Sequence, residues 1–288
     1  MSKLYSPAID QWVRNDAQMR INSGLPRKPI RVLDHRVIGP VLRGTSTNRN
    51  YVDLAVVYRD SELSDLFQAD TEIPKPVSVT LIQGNREIHF NVAGVELNSL
   101  LHMSYRSMPE ALAFAYAPQQ SGSALGADLK RLISMCFDPY VAFTEYAHLA
   151  RERMKTIPRR SSTLLYSSEL VLEAVFYYLS SLYVQSSLLC PQPNIVELSK
   201  AFANREPWFD QFCERIFNLI RVRISNKSVL KLEKSYESVR QLAVILESRV
   251  DAAIASRKMD KFNLQPKHLR SLADECEDFL KRYSISRG

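Results

Sequence analysis

The chain has 288 residues, of which 45% are apolar and 24% are charged, so it can bury a sizeable core and global disorder is excluded. Its composition of only 8 glycines against 14 prolines, with long stretches of Leu, Ala, Glu, Lys and Arg, favours a helix-rich protein over a sandwich or barrel. The net charge of +7 favours a polyanionic partner through long-range attraction and counterion release, although a solvated positive surface explains the same charge.

The cysteines and the hydropathy pattern indicate the cellular compartment in which we expect the protein. The cysteines lie far apart, with no C-x-x-C pair and no His at metal-ligand spacing, so we expect buried free thiols and neither a disulfide framework, a metal nor a cofactor. The N-terminus lacks the apolar core of a signal peptide, and no run of about 18 apolar residues occurs. We therefore expect a cytoplasmic protein without a membrane partner.

The first half of the chain predicts a short helix and a small sheet. Apolar residues at helical spacing predict a helix over residues 8–22, before a Gly-Leu-Pro break. Residues 38–42 and 52–58 predict two strands, joined by a polar, turn-forming loop that contains Gly44. Two further strands are predicted over residues 77–82 and 88–92.

The pattern becomes helical from Glu96 onward. Residues 97–105 and 110–116 predict two helices, and a Gln-, Ser- and Gly-rich stretch predicts a mobile linker. We expect three segments: a mixed α/β domain over residues 1–118, the linker over 119–126, and an all-helical domain over 127–288. The later helices are predicted over 127–137, 139–156, 163–187, 194–203, 207–224, 228–257 and 266–283. The expected fold class is α+β.

Two neighbouring motifs suggest a family. The sequence GPVLRGT at residues 39–45 and NYVDLAVV at residues 50–57 resembles the signature of polymerase-β-like nucleotidyltransferases, including their uncharacterised predicted branch. That signature runs from a strand through Gly-Ser and a second glycine to Asp-x-Asp. With Gly39 and Gly44 on the two glycines, Asp53 takes the second aspartate without a gap. The resemblance implies a small mixed sheet followed by helices.

The chemistry of the family requires acidic residues that this chain lacks. Nucleotidyl transfer uses divalent cations held by carboxylates at strand positions i and i+2, which lie on one face of the sheet. In this register Pro40 replaces the serine, and Tyr51 replaces the first aspartate. A later strand offers Asn91 where the third carboxylate is expected. The resemblance therefore implies a catalytically inactive homologue without a metal, whose vestigial active-site positions are Gly39, Pro40, Gly44, Tyr51, Asp53 and Asn91.

A second register stays open. Gly44-Thr45 can be placed on the Gly-Ser pair, which makes Asp53 the first aspartate and puts Ala55 in the second place. A methyl group binds no metal, so the implication of inactivity is unchanged. Alternatively, the two glycines mark ordinary turns without any such relationship.

The resemblance also suggests a ligand. Large bacteriophages that build a nucleus-like compartment have a basic, nucleotidyltransferase-like protein that lacks the catalytic acids and binds phage messenger RNA, and this sequence is similar to it. We expect single-stranded RNA as the partner, bound with little sequence preference in the host cytoplasm near such a phage nucleus, and phage proteins as further partners. The candidate nucleic-acid contacts are Arg43, Arg49, Arg151, Arg153, Lys155, Arg159, Arg160, Arg221, Arg223 and Lys227.

Each candidate cation has an ordinary alternative explanation. A charge run is usually a solvated helix face, and cations near a helix end interact favourably with its dipole. Arg221 and Arg223 lie two residues apart and cannot share one helical face. None of the five scattered histidines has a neighbouring nucleophile in the sequence, so no catalytic role is assigned to them.

Three functions compete at this point. The first is RNA binding by an inactive nucleotidyltransferase fold. The second is an active enzyme in which Asp53 is joined by Asp34, Glu87 or Glu96, and the third is a structural factor whose helices bind another protein.

Overall fold

The computed structural model describes residues 30–46, 51–60, 77–83, 86–117, 123–157, 163–225, 228–256 and 266–283. It confirms the α+β fold class, with a mixed sheet in the first half and helices after it. Two compact units are distinguished: Met1–Gly39, Asn50–Phe137 and Leu264–Gly288 form the sheet unit, and Pro40–Arg49 with Asp138–Asn263 form the helical unit. The helix predicted over residues 8–22 lies outside the described residues.

The sheet unit contains four described strands. They are β1 (Ile30–Ile38), β2 (Tyr51–Asp60), β3 (Val77–Gln83) and β4 (Arg86–Glu96). Their order in the sheet is β1-β2-β4-β3; β2 and β4 are parallel, and the two outer pairs are antiparallel. The polar ends of β2 and β4 therefore meet at one edge of the sheet.

Alternation in β4 determines which of its residues face the core. Ile88, Phe90 and Val92 are buried, whereas the odd-numbered residues between them are exposed or half-buried. A strand places successive side chains on opposite faces, so the even positions supply the core and the odd positions form a polar face. The middle of β2, from Leu54 to Val57, is buried on both faces, as its run of apolar residues requires.

The predicted strand over residues 38–42 is wrong. β1 ends at Ile38, and the short helix α1 spans Gly39–Arg43. Gly39 has φ +70, which breaks the extended conformation, and Pro40 fixes a φ suited to the first turn of a helix while lacking the N–H that a strand would use. The remaining helices are α2 (Leu97–Tyr105), α3 (Pro109–Tyr116), α4 (Leu125–Cys136), α5 (Pro139–Thr156), α6 (Leu164–Ser187), α7 (Ile195–Arg205), α8 (Asp210–Ser225), α9 (Val229–Ala255) and α10 (Pro266–Arg282).

The predicted helices after Glu96 are confirmed within a few residues at their ends. The predicted linker over 119–126 stays a prediction, because residues 118–122 lie outside the described part; Leu125 and Gly126 already belong to α4. A 3-10 turn, Pro207–Phe209, precedes α8, which the sequence placed in one continuous helix. Pro207 explains the turn, since proline is tolerated only at the start of a helix.

In the sheet unit a buried cation joins a strand to a helix end. Arg36 on β1 is 2% exposed and is paired with the buried carboxylate of Asp34 at 3.1 Å. Its guanidinium also donates to the carbonyl oxygen of Ala117, just beyond α3, at 2.7 Å. Gly126 of α4 lies against the same guanidinium, because a Cβ there would be 1.9 Å from Arg36 Nη2. The carbonyls at the end of α3 thus gain a charged donor inside the core.

The helical unit is organised around α6. Of its 24 residues, 17 are buried, which fits a helix that is apolar on all sides. Helices α5, α7, α8 and α9 all contact it. Among the described helices, none combines the length and apolar character needed to cross a membrane.

Candidate functional site

The strongest candidate site in the sheet unit is the polar edge where β2 and β4 run in parallel. Asp53 on β2 is paired in register with Asn91 on β4, and both side chains project from the same face. Asn91 Nδ2 donates a hydrogen bond of 3.1 Å to Asp53 Oδ1. The amide therefore occupies the place in which the family resemblance expects the third carboxylate, and it donates to one oxygen of Asp53.

The backbone of Gly39 closes the other side of Asp53. Ile38 is the register partner of Asp53 on β1, so the next residue passes beside the carboxylate. A Cβ on Gly39 would lie 2.2 Å from Asp53 Oδ2. Only glycine permits this close approach at a positive φ, so Gly39 lies against Asp53, which in turn accepts from Asn91.

Tyr51, two residues before Asp53, is 60% exposed. Its ring stacks on that of His89, the register partner on β4, with centroids 4.7 Å apart and an angle of 22°. Thr80 Oγ1 on β3 lies 2.9 Å from His89 Nδ1. Sequence reasoning assigned no role to His89; the alternation along β4, which puts it on the same face as Asn91, was the signal that could have found it.

The other carboxylates named for an active enzyme lie elsewhere in the sheet unit. Glu87 precedes Asn91 by four residues on β4, about 13 Å at the usual rise of a strand. Asp34 is paired with Arg36, and Glu96 caps α2 by accepting from the N–H groups of Asn98 and Ser99. Within the described ranges, no cluster of three or more His, Cys, Asp or Glu side chains suits a metal ion.

The glycine segment that follows α1 is packed, not an open loop. In the helical unit, the carbonyl oxygen of Pro40 accepts from Thr45 N at 2.9 Å and from Ser46 N at 3.2 Å. Thr45 is fully buried, and a Cβ on Gly44, which has φ +73, would meet Asn194 Nδ2 at 2.9 Å. The sequence predicted a polar loop here, yet these groups are used in internal hydrogen bonds instead of being directed at a ligand.

Arg43 belongs to a buried ionic cluster in the helical unit. Its guanidinium hydrogen-bonds to Glu173 of α6, which also pairs with Arg153 Nε at 2.9 Å. The Arg43 side chain lies over the ring of Tyr177, 5.3 Å from the centroid. With its own side chain only 12% exposed, Arg43 serves the packing of α1 on α6, and the predicted RNA contact does not fit this position.

Arg223 of α8 is more deeply enclosed, with a side chain 2% exposed. It donates to the carbonyl oxygen of Thr45 at 2.6 Å and pairs with Glu169 at 3.3 Å. Burial lowers the pKa of Arg223 to about 10, an effect that Glu169 and Glu173 oppose, so the side chain still carries its charge at neutral pH. A cation in this position holds the glycine segment and does not reach a phosphate, which corrects the prediction for Arg223.

The remaining candidate cations differ in exposure. Arg221 is 70% exposed and 3.6 Å from Glu214, so the expected separation of Arg221 and Arg223 onto different helix faces is confirmed. Arg151 pairs with Asp251 at 2.5 Å, and Lys155 pairs with Glu152 at 2.8 Å on the surface. The remaining four candidates, Arg49, Arg159, Arg160 and Lys227, lie outside the described residues.

The helical unit also contains a cleft of about 1030 Å³ between the end of α5, the start of α6 and the first turns of α9. Lys155 of α5 lines it, together with Lys234 and Arg240 of α9. Glu233 and Glu237 line the same cleft, and Arg240 lies 3.5 Å from Glu237. The fold therefore brings cations from α5 and α9, which are far apart in the sequence, to one concave surface that also carries acidic residues.

Comparison with known proteins gives distant structural similarity. No protein-family model matches this chain, and no curated protein matches it. A solved structure of a nucleotidyltransferase-like protein from Exiguobacterium sibiricum 255-15 is similar over 96% of this chain and 90% of that one, at 9% identity and a TM-score of 0.29. A likeness of this size decides neither the activity nor the ligand of this chain. The resemblance to phage RNA-binding proteins stays a prediction.

Proposed function

We propose that this protein binds single-stranded RNA, with little sequence preference, through a nucleotidyltransferase-like fold that does not transfer nucleotides. The observation that carries the proposal is the Asp53–Asn91 pair, in which an amide bonds to the carboxylate at the edge of the sheet. A neutral amide and one carboxylate give a weak site for divalent cations, which prefer several anionic oxygen ligands. Without a pair of cations, the phosphoryl chemistry of the family lacks its electrophilic stabilisation.

The charge of the chain supports RNA as the ligand. A net charge of +7 attracts a polyanion, and binding releases the counterions condensed on the RNA. Lys155, Lys234 and Arg240 line one cleft and supply the proposed phosphate contacts. The predicted contact Arg221 is exposed and adds to the same positive surface of the helical unit. Phage messenger RNA, which the resemblance suggests, is the first natural RNA to test.

A salt titration tests this binding mode. Affinity for a single-stranded RNA oligonucleotide, measured by fluorescence anisotropy between 50 and 200 mM salt, is expected to fall linearly on a double-logarithmic plot. Lys155→Ala should reduce the slope by about one, because one phosphate contact is lost. The matched control is Lys281→Ala, which removes an equally exposed lysine that also pairs with a carboxylate on its own helix. A flat salt response would contradict the proposal.

A second measurement separates binding from catalysis. We expect no incorporation of labelled nucleotide in the presence of Mg²⁺ or Mn²⁺, with RNA or with any protein acceptor in the reaction. Metal-dependent incorporation that disappears in Asp53→Ala would refute the proposal and favour the active enzyme. A protein that shows no RNA shift at low salt and co-purifies with another protein would favour the structural alternative.

A further inference from the structure

The sheet unit exposes an aromatic pair that the core does not use. Tyr51 is the first residue of β2, and 60% of its surface is exposed. Its ring lies parallel to that of His89 at 4.7 Å, in the offset stacking range that aromatic pairs favour. An exposed aromatic ring can stack on a flat ligand ring, so Tyr51 is a candidate for ligand contact.

Among the described strands, β4 is the one whose register partner lies beside Tyr51. The pairing of β1 with β2 runs from Asp60 to Asp53 and stops there, because β1 ends at Ile38. Tyr51 therefore has a strand neighbour on the β4 side alone, where His89 covers one face of the ring. The 60% exposure of Tyr51 shows that ring surface is left open to a ligand.

The pair is held in place before any ligand arrives. Thr80 Oγ1 lies 2.9 Å from His89 Nδ1, and this hydrogen bond fixes the orientation of the imidazole against which Tyr51 stacks. Both rings project from paired strands, and each lies against the other. A ligand that stacks on this platform orders few additional side chains, so little conformational entropy opposes its binding.

Polar groups on the same face can meet the edges of a flat, polar ring. Asn91, two residues beyond His89 on β4, is exposed and presents an amide. Ser78 on β3 is the register partner of Asn91 and is also exposed. An amide and a hydroxyl each donate and accept, so they suit the hydrogen-bonding edges of any base and impose little sequence preference.

We infer that the Tyr51–His89 pair is a stacking site for one unpaired nucleobase of single-stranded RNA, which makes a three-ring stack of base, Tyr51 and His89. This inference rests on the proposed function and deepens it, since it names the part of the RNA that the sheet unit contacts. Every base has an aromatic face, so stacking is tolerant of sequence. Asp53 and Glu87 on this face disfavour a phosphate here, which leaves the base as the contacting group.

Tyrosine variants of the full chain test the stacking site. With a 12-nucleotide poly(A) RNA at low salt, Tyr51→Ala should weaken binding about 10- to 100-fold, the effect of removing one stacked base. Tyr51→Phe should bind as the wild type does, because stacking needs the ring and not the hydroxyl. The matched control is Tyr105→Ala, which removes another exposed tyrosine of the sheet unit and should leave the affinity unchanged.

The salt slope distinguishes a stacking contact from a structural effect. Tyr51→Ala removes no phosphate contact, so its double-logarithmic salt slope should equal that of the wild type while the affinity is lower at every salt concentration. Equal affinity of the wild type and Tyr51→Ala would overturn this inference alone, as would equal losses in Tyr51→Ala and Tyr51→Phe. Binding of duplex RNA as tightly as the single strand would also overturn it. If the wild type binds no RNA, the proposed function fails and this inference fails with it.

Discussion

Gly39 shows at the level of a single residue how the main chain accommodates the carboxylate of Asp53. Replacing it by alanine forces a side chain into a positive φ and places Cβ 2.2 Å from Asp53 Oδ2. We expect Gly39→Ala to lower the free energy of unfolding by about 2 to 4 kcal/mol in urea denaturation. In an Asp53→Ala background the collision with Oδ2 is removed and only the tight approach to the Cβ of residue 53, at 3.0 Å, is left, so the loss should shrink to about 1 to 2 kcal/mol. The same loss in both backgrounds would contradict the contact.

Cys213 of α8 gives a pH-dependent prediction. Burial first, and then the nearby Asp210 and Glu214, raise the pKa of the Cys213 thiol from 9.0 to about 11. The folded protein therefore keeps this proton where the unfolded chain loses it, and this contribution to stability is lost as the pH rises from 9 to 11. At pH 8 the thiolate fraction is about 100-fold smaller than in the unfolded chain.

The measurement is alkylation of Cys213 with iodoacetamide, followed by mass spectrometry of the peptide. We expect modification at least about 100-fold slower in the native protein than in urea at pH 8, and faster as the pH approaches 11. The thiol is 7% exposed and donates to Ser199 O at 3.6 Å, so restricted access adds to the effect. Equal rates in native and unfolded protein would show that Cys213 is not enclosed.

At the scale of elements, β1 and α3 depend on the buried Arg36. Replacement of Arg36 by methionine keeps a long side chain but removes the ion pair with Asp34 and the hydrogen bond to the carbonyl oxygen of Ala117. We expect Arg36→Met to cost about 3 to 5 kcal/mol in the free energy of unfolding, as for other broken buried pairs. Calorimetry or urea denaturation measures this loss.

Two controls make the Arg36 result specific. Arg131→Met breaks a surface pair with Glu275, in which the arginine is 65% exposed, and should cost no more than about 1 kcal/mol. The double variant Asp34→Asn/Arg36→Met removes both charges and should lose less stability than Arg36→Met alone, because no unpaired charge is left in the core. A double variant that is less stable than the single one would contradict a buried ion pair.

At the scale of the whole molecule, we predict that stability does not depend on divalent cations. The described residues hold no cluster that suits a metal, and Asp53 shares its edge with an amide. The melting temperature of the protein should therefore be the same in EDTA and in millimolar Mg²⁺, within the small shift that ionic strength causes. A rise in Mg²⁺ that is lost in Asp53→Ala would reveal a cation site and contradict this prediction.

The helical part of the molecule could be predicted from the sequence, because its signals are local. Asp138 and Pro139 mark the start of α5, and the predicted span of 139–156 matches the observed helix. β1 could not be predicted in the same way. Its sequence contains Asp34, His35 and Arg36, all buried, and polar residues in a core conceal the alternation by which strands are recognised.

The candidate site could be predicted only where register follows from the strands themselves. The resemblance placed Asn91 only on a strand later than that of Asp53, and the two residues meet because these strands, β2 and β4, pair in register. The burial of Arg43 and Arg223 could not be foreseen, since it depends on Glu169 and Glu173, which lie one helical turn apart on α6 and far away in the sequence. The residues next to an arginine in the sequence do not show whether its side chain will contact a distant carboxylate or solvent.

A single atom, the Nδ2 nitrogen of Asn91, distinguishes the Asp53–Asn91 pair from two carboxylates that would bind a cation. If the nitrogen that donates to Asp53 were an oxygen, two carboxylates would face each other at 3.1 Å, and their repulsion would demand either a shared proton or a bound divalent ion. The single substitution Asn91→Asp would therefore make this site require a proton or a cation. Catalysis would require further changes, because Thr45 N and Ser46 N of the glycine segment already donate to the carbonyl oxygen of Pro40.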